Sequence, residues 1–108
     1  MATKTIESNG LNFSVIDEGD AGATPVLFLH GFPDRGSMWH NQIDAVTAAG
    51  YRAIAPDLRG FGDSDAPADV DQYGLLTLVG DVTGVLDALG VTQTHVVGHD
   101  WGAALAWM

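Results

Sequence analysis

The 108-residue chain contains no cysteine, which excludes a disulfide framework, a thiolate nucleophile and any metal centre built on thiolates. Positive charge is nearly as scarce: 4 Lys+Arg stand against 14 Asp+Glu, for a formal net charge of −10. Such a balance argues against nucleic acid or an anionic membrane surface as a partner. No apolar run approaches the roughly 20 residues that cross a bilayer. The opening residues Met1-Ala2-Thr3-Lys4-Thr5-Ile6-Glu7-Ser8 lack the apolar core of a secretion signal, so a soluble, cytoplasmic protein is expected. No repeat or linker divides the chain. Its length suits one small domain, and 46% hydrophobic residues are ample for a core, which sets disorder aside.

What is present is concentrated near the end, in His95-Val96-Val97-Gly98-His99-Asp100-Trp101-Gly102-Ala103-Ala104. A β-branched apolar pair runs into Gly-x-Asp-x-Gly, and small helix-favouring residues follow. The pattern reads as a buried strand, a tight turn and the first turn of a helix. A side chain at the tip of such a turn is held in strained backbone geometry, and bulky neighbours would clash there. Gly98 and Gly102 remove the clash and leave Asp100 exposed above the strand end. With Ser at the tip, this arrangement is the nucleophile elbow. A carboxylate attacks esters poorly but can displace a leaving group from saturated carbon, and water can then cleave the resulting alkyl ester. Strained epoxides and carbon–halogen bonds suit that chemistry. An Asp here can equally cap the following helix, and the motif by itself leaves both readings open.

Earlier in the chain, residues 3–8 and 11–16 predict an antiparallel hairpin at a sheet edge, turned by Asn9-Gly10. The continuous run Pro25-Val26-Leu27-Phe28-Leu29 predicts a strand buried on both faces. It ends in His30-Gly31-Phe32-Pro33-Asp34, where Gly31 permits an unusual backbone angle and Pro33 stiffens the loop and drives Phe32 from helical geometry. Such a loop can aim backbone N–H groups at a ligand, or be an ordinary strand-to-helix turn. A helix is expected over 37–49, with Met38, Ile43, Ala45 and Val46 inward, Trp39 in the core and His40 on the surface. Residues 51–55 make the next strand.

The long loop Asp57-Leu58-Arg59-Gly60-Phe61-Gly62-Asp63-Ser64-Asp65-Ala66-Pro67 is too acidic for phosphate and lacks the Lys-Ser/Thr of a phosphate loop. Asp63, Asp65, Asp69 and Asp71 are spaced in a way that suggests calcium, but the Gly and terminal Glu of a calcium loop are missing, so a solvated acidic loop is expected. Residues 75–89 carry the clearest helical stripe, Leu75, Leu78/Val79, Val82, Val85/Leu86 and Leu89, closed by Gly90.

Taken together, His30-Gly31-Phe32-Pro33, Pro56-Asp57-Leu58-Arg59-Gly60-Phe61-Gly62-Asp63-Ser64 and Gly98-His99-Asp100-Trp101-Gly102 resemble the N-terminal part of α/β-fold hydrolases, and most closely the epoxide hydrolases. The resemblance spans essentially the whole chain. It implies an α/β fold with a mostly parallel sheet and an antiparallel N-terminal hairpin, residues 1–108 forming an incomplete core domain. It further implies Asp100 as nucleophile and the backbone N–H groups of Phe32 and Trp101 as the oxyanion hole. His30, Gly31, Pro33, Gly98 and Gly102 would support loop and elbow, with Asp57 and Arg59 bracing a loop. Neither cofactor nor metal is implied; the partners would be a small hydrophobic epoxide and water.

In that family the general-base His, its acidic partner and two lid Tyr that protonate the epoxide oxygen come from segments later than those matched here. None of His30, His40, His95 and His99 holds the base position, and Tyr51 and Tyr73 precede any lid. The chain therefore resembles an N-terminal portion, inactive in isolation, whose partner would be the C-terminal half. Two alternatives stand beside it. One is a dehalogenase of the same fold, although Phe32 replaces the Asn of haloalkane dehalogenases and Trp101 the Arg of fluoroacetate dehalogenases; the Trp101 indole N–H could still bind halide. The other is a non-catalytic fragment or binding module.

Overall fold

A computed structural model describes residues 2–108, with Val70 described by its backbone alone. The hairpin pairs β1 (Thr3–Ser8) with β2 (Leu11–Glu18) in antiparallel register, Ser8 opposite Leu11 and Thr3 opposite Ile16. Asn9 and Gly10 both adopt positive φ, 53° and 82°, the backbone of a two-residue turn whose twist matches the strands it joins. β2 runs two residues beyond the expected Ile16, because Asp17 and Glu18 continue the ladder against β4 (Arg52–Pro56).

The sheet order is β1-β2-β4-β3-β5, with β3 (Pro25–Leu29) and β5 (His95–Gly98). β3 lies parallel to both neighbours: Leu27 pairs with Ile54 on one side and Val96 on the other. The three apolar runs expected to be parallel neighbours are so, and the hairpin occupies one edge.

Both faces of β3 are covered, which is why its sequence does not alternate. Leu27 and Leu29 join Phe13, Val15, Ile54, Val82, Val85 and Leu105 in one cluster, under α2 (Leu75–Ala88) and α3 (Trp101–Ala106). Val26 and Phe28 join Trp39, Ile43, Ala53 and Ala55 on the other face, under α1 (His40–Ala48). Trp39 is a core aromatic, its ring 5.3 Å from that of Phe28, and His40 is exposed.

The helix expected over 37–49 is split. Gly36–Trp39 forms a 3₁₀ turn, and α1 starts at His40. The Gly36 N–H that opens the turn is held by the buried carboxylate of Asp57 at 2.8 Å, and Trp39 turns inward, so this segment follows side-chain anchors rather than a helical stripe. Ile43 is buried and Met38 and Val46 are partly so, whereas Ala45 is exposed.

Two buried ion pairs tie the elements together. Arg52 in β4 grips Asp17 in β2 through two 2.8 Å bonds. Arg59 grips Asp81 in α2 the same way, and Asn9 of the hairpin turn donates to Asp81 at 3.0 Å. The acidic loop is occupied locally: Asp63 pairs with Arg35, Asp65 accepts the Asn12 N–H and Asp69 accepts the Asp71 N–H.

Candidate active site

The site is built where β3 and β5 end side by side. Leu29 and Gly98 are register partners, so the chain leaving each strand meets the other at once. The His99 N–H donates to the Leu29 carbonyl at 3.2 Å. One residue further, Asp100 takes φ 58° and ψ −121° before α3 begins. This is left-handed backbone at a non-glycine residue, a strained state that persists when its surroundings enforce it.

The enforcement is steric. A Cβ on Gly102 would lie 2.0 Å from the Leu29 carbonyl oxygen, and one on Gly98 would lie 2.5 Å from the Gly102 carbonyl oxygen. Both contacts are with backbone, which cannot step aside. Gly31 acts the same way, since its Cβ would meet the Asp100 Cβ at 2.5 Å. Its role differs from the one expected: Gly31 does not take positive φ, and close approach rather than a special dihedral angle demands glycine there.

Asp100 is exposed, and its Oδ2 accepts the Phe32 N–H at 3.0 Å. That bond holds the carboxyl below its usual range, helped by the neighbouring Trp101 N–H and, to a smaller degree, by His99. The elbow aspartate is thus ionised at neutral pH and unencumbered on its solvent side. Its own side chain does not cap α3, so the capping alternative left open by the motif does not apply.

Pro33 follows Phe32 through a cis peptide bond. His30 is fully buried. Its Nε2 lies 2.9 Å from the Leu58 N–H and its Nδ1 2.9 Å from the Gly31 carbonyl oxygen. A ring that accepts at Nε2 and donates at Nδ1 is the neutral tautomer, and burial pushes its pKa down. His30 therefore ties the Phe32 loop to the β4 loop. Among the described residues no imidazole is hydrogen-bonded to Asp100.

Beside the elbow lies a cavity of about 280 Å³ walled by Phe32, Trp101, Phe61, Tyr73, Leu75 and Leu78. Phe61 stands edge-on to both His30 and Phe32, at 5.2 and 5.9 Å. Tyr73 packs against Gly60, and its hydroxyl donates to the Pro67 carbonyl. The contribution of Tyr73, Leu75 and Leu78 was not foreseen from the sequence. Leu75 and Leu78 read there as core positions of α2, and nothing in the spacing indicates that the upper end of that stripe faces a cavity.

A parallel-centred sheet with helices on both faces, carrying a strained Asp elbow beside a stiff loop of backbone donors, defines an α/β protein of the hydrolase type. The chain belongs to the α/β hydrolase fold family, whose model matches residues 24–108. It is 52% identical over 103 residues to epoxide hydrolase 2 of Siraitia grosvenorii, covering 95% of this chain and 32% of that protein. It is 39% identical over 104 residues to epoxide hydrolase A of Mycobacterium tuberculosis, covering 96% and 32%. The crystal structure of an epoxide hydrolase from Vigna radiata superposes with a TM-score of 0.94 at 46% identity, covering 98% of this chain and 34% of that one. The chain thus spans about a third of the length of these relatives.

Proposed function

We propose that this chain supplies the nucleophile and oxyanion hole of an enzyme that opens small hydrophobic epoxides to diols. The observation that carries the reading is the Asp100 carboxylate, ionised, exposed and accepting the Phe32 N–H, with the Trp101 N–H beside it, at the mouth of an apolar cavity. The names of the relatives, epoxide hydrolases from plants and bacteria, support the substrate class.

One Asp100 oxygen attacks an epoxide carbon, and the C–O bond of the ring breaks as the ester forms. The other oxygen becomes the ester carbonyl. Water then adds at the carboxyl carbon, and the negative charge gathers on that carbonyl oxygen, where the Phe32 and Trp101 N–H groups stabilise it. Loss of the alkoxide yields the diol and restores Asp100. Proton transfer to the opening ring and from water needs an acid and a base, neither hydrogen-bonded to Asp100 among the described residues. In the two thirds of the relatives' length that this chain does not span there is room for both.

Oxygen-18 water tests the mechanism in the protein carrying this sequence. In a single turnover the diol should remain unlabelled, and over repeated cycles label should enter Asp100. Label in the diol on the first turnover would mean that water attacks the epoxide directly.

A further inference from the structure

The loop that carries Phe32 is gripped at both ends by two consecutive residues of another loop. At its start, His30 accepts the Leu58 N–H. At its far end, the Gly36 N–H donates to Asp57 Oδ1 at 2.8 Å. The other oxygen of Asp57 accepts the Asp63 N–H at 2.9 Å and faces the Arg35 guanidinium at 3.3 Å. The Asp57 carbonyl also accepts the Ser64 hydroxyl at 2.6 Å. Asp57 is 4% exposed, and the chain makes room for its carboxylate with glycine. A Cβ on Gly62 would lie 2.1 Å from Asp57 Oδ2; one on Gly36 would meet the Ala55 carbonyl oxygen at 2.6 Å and Asp57 Oδ1 at 3.2 Å.

Phe32 itself is poorly anchored. It is 64% exposed, and its ring stands edge-on to that of Phe61. Among the described residues one backbone bond lies inside the loop, Asp34 N–H to the Gly31 carbonyl at 3.0 Å, and closes a turn. The direction of the Phe32 N–H is therefore set by where the loop ends are fixed. The geometry points to Asp57 as a positioning residue: through the Gly36 N–H and Arg35 it fixes the far end of the loop and thereby aims the Phe32 N–H at Asp100. Its catalytic meaning rests on the epoxide-opening reading above, but the mechanical link does not.

Asp57→Asn tests it in the protein carrying this sequence. The substitution keeps the shape and one acceptor, but turns an NH2 group toward the Asp63 N–H and the Arg35 guanidinium. Two readouts apply. Carboxyl carbon-13 titration should show the Asp100 midpoint rising toward the ordinary aspartate value as the Phe32 N–H drifts away. Single-turnover kinetics with styrene oxide should show ester hydrolysis slowed by about tenfold to a hundredfold, the scale of a misplaced reacting group, with the rate of ester formation less affected. An unchanged Asp100 midpoint in a folded Asp57→Asn protein overturns the proposal. No turnover in the unsubstituted protein overturns the epoxide reading instead and leaves the titration to judge Asp57. Should Asp57→Asn not fold, amide hydrogen exchange in the unsubstituted protein decides. Phe32 and Gly36 should then be released in one opening event, and Phe32 exchanging while Gly36 stays protected overturns the link.

Discussion

The Phe32 N–H donates to Asp100 Oδ2 across 3.0 Å, joining residues 68 positions apart. The bond exists because β3 and β5 are adjacent parallel strands that end in register, Leu29 beside Gly98. Two loops that are remote in sequence thus leave the sheet at one point. That is where α/β sheets gather their ligands, at the carboxyl ends of the strands.

The same bond sets the acid behaviour of Asp100. Backbone donors favour the ionised form, so its folded-state pKa lies below 3.8. Its contribution to stability is fully present above the unfolded value and is lost as pH falls through the lowered folded one. Carboxyl carbon-13 titration should place the midpoint below 3.8. A midpoint at or above that value would mean that the two N–H groups do not hold the carboxylate in solution.

His30 carries a pH dependence of its own. Burial lowers its pKa from the ordinary 6.5, so the unfolded chain binds a proton before the folded one does. The stability that neutral His30 provides is complete above 6.5 and declines as pH falls from there toward the lowered folded value. Denaturant midpoints should therefore fall between pH 7 and 5, and the slope attributable to this residue should vanish in His30→Leu. That variant should itself lose about 1–3 kcal/mol, because the buried Leu58 N–H is left without its acceptor. A His30→Leu protein as stable as its parent would mean that Leu58 finds another partner.

The elbow glycines separate two kinds of glycine requirement. An alanine Cβ at Gly102 would be driven into the Leu29 carbonyl, backbone against backbone. At Gly90, φ is 72° and nothing lies within 4 Å of an added Cβ, so only local strain opposes it. Gly90→Ala should cost about 1–2 kcal/mol. Gly102→Ala should cost more, about 3 kcal/mol, at the upper end of overpacking. Urea unfolding of the pair decides, and equal costs would show that the elbow shifts to make room.

Much of this arrangement was legible in the chain itself, because its signals are local. Unbroken apolar runs marked β3 and β4 as buried strands, and Gly-x-Asp-x-Gly marked the elbow; β5, also read as buried, is instead an exposed edge strand. Asn9-Gly10 marked the hairpin turn. What was not legible depends on contacts between distant residues. The 3₁₀ start before α1 follows from the Asp57 bond to Gly36, and Asp57 lies 21 positions away. Gly31 needs glycine because Asp100 arrives beside it, which no local dihedral rule foretells. Tyr73 is a cavity wall only because the loop over 57–65 folds back beneath it. Asp81 in α2 breaks a stripe that reads as apolar, and its reason is Arg59.

That pair gives a stability prediction. Arg59 and Asp81 are both buried, at 2% and 3% side-chain exposure, and share two 2.8 Å bonds. Removing one partner leaves an uncompensated buried charge, so Asp81→Ala should cost about 3–5 kcal/mol. Replacing both, as Arg59→Met with Asp81→Leu, should cost clearly less, since no charge is stranded. A double variant as destabilised as the single one would show that the Asn9 and Gln72 contacts of the pair, rather than its charges, carry the loss.

The last prediction concerns a polypeptide made of residues 1–108 alone, which should not turn over epoxide. Two deficits act independently. The first is chemical: on the proposed mechanism Asp100 forms the ester, but no imidazole among the described residues is hydrogen-bonded to it to activate water. General-base assistance is worth about 10²–10⁴-fold, so the alkyl-enzyme should accumulate, visible as a mass increase equal to that of the epoxide. The second is structural. β5 is an edge strand with Val96 and Val97 exposed, and beyond it Trp107 and Met108 are exposed as well, Trp107 by 91%. An apolar sheet edge of this kind pairs with whatever strand it meets. Sedimentation should therefore show self-association that weakens when Val96 and Val97 are replaced by Thr and Lys. Steady multiple-turnover diol formation by monomeric 1–108, lost in Asp100→Ala, would contradict the chemical deficit and direct attention to the chain's own four histidines, His99 beside the elbow first.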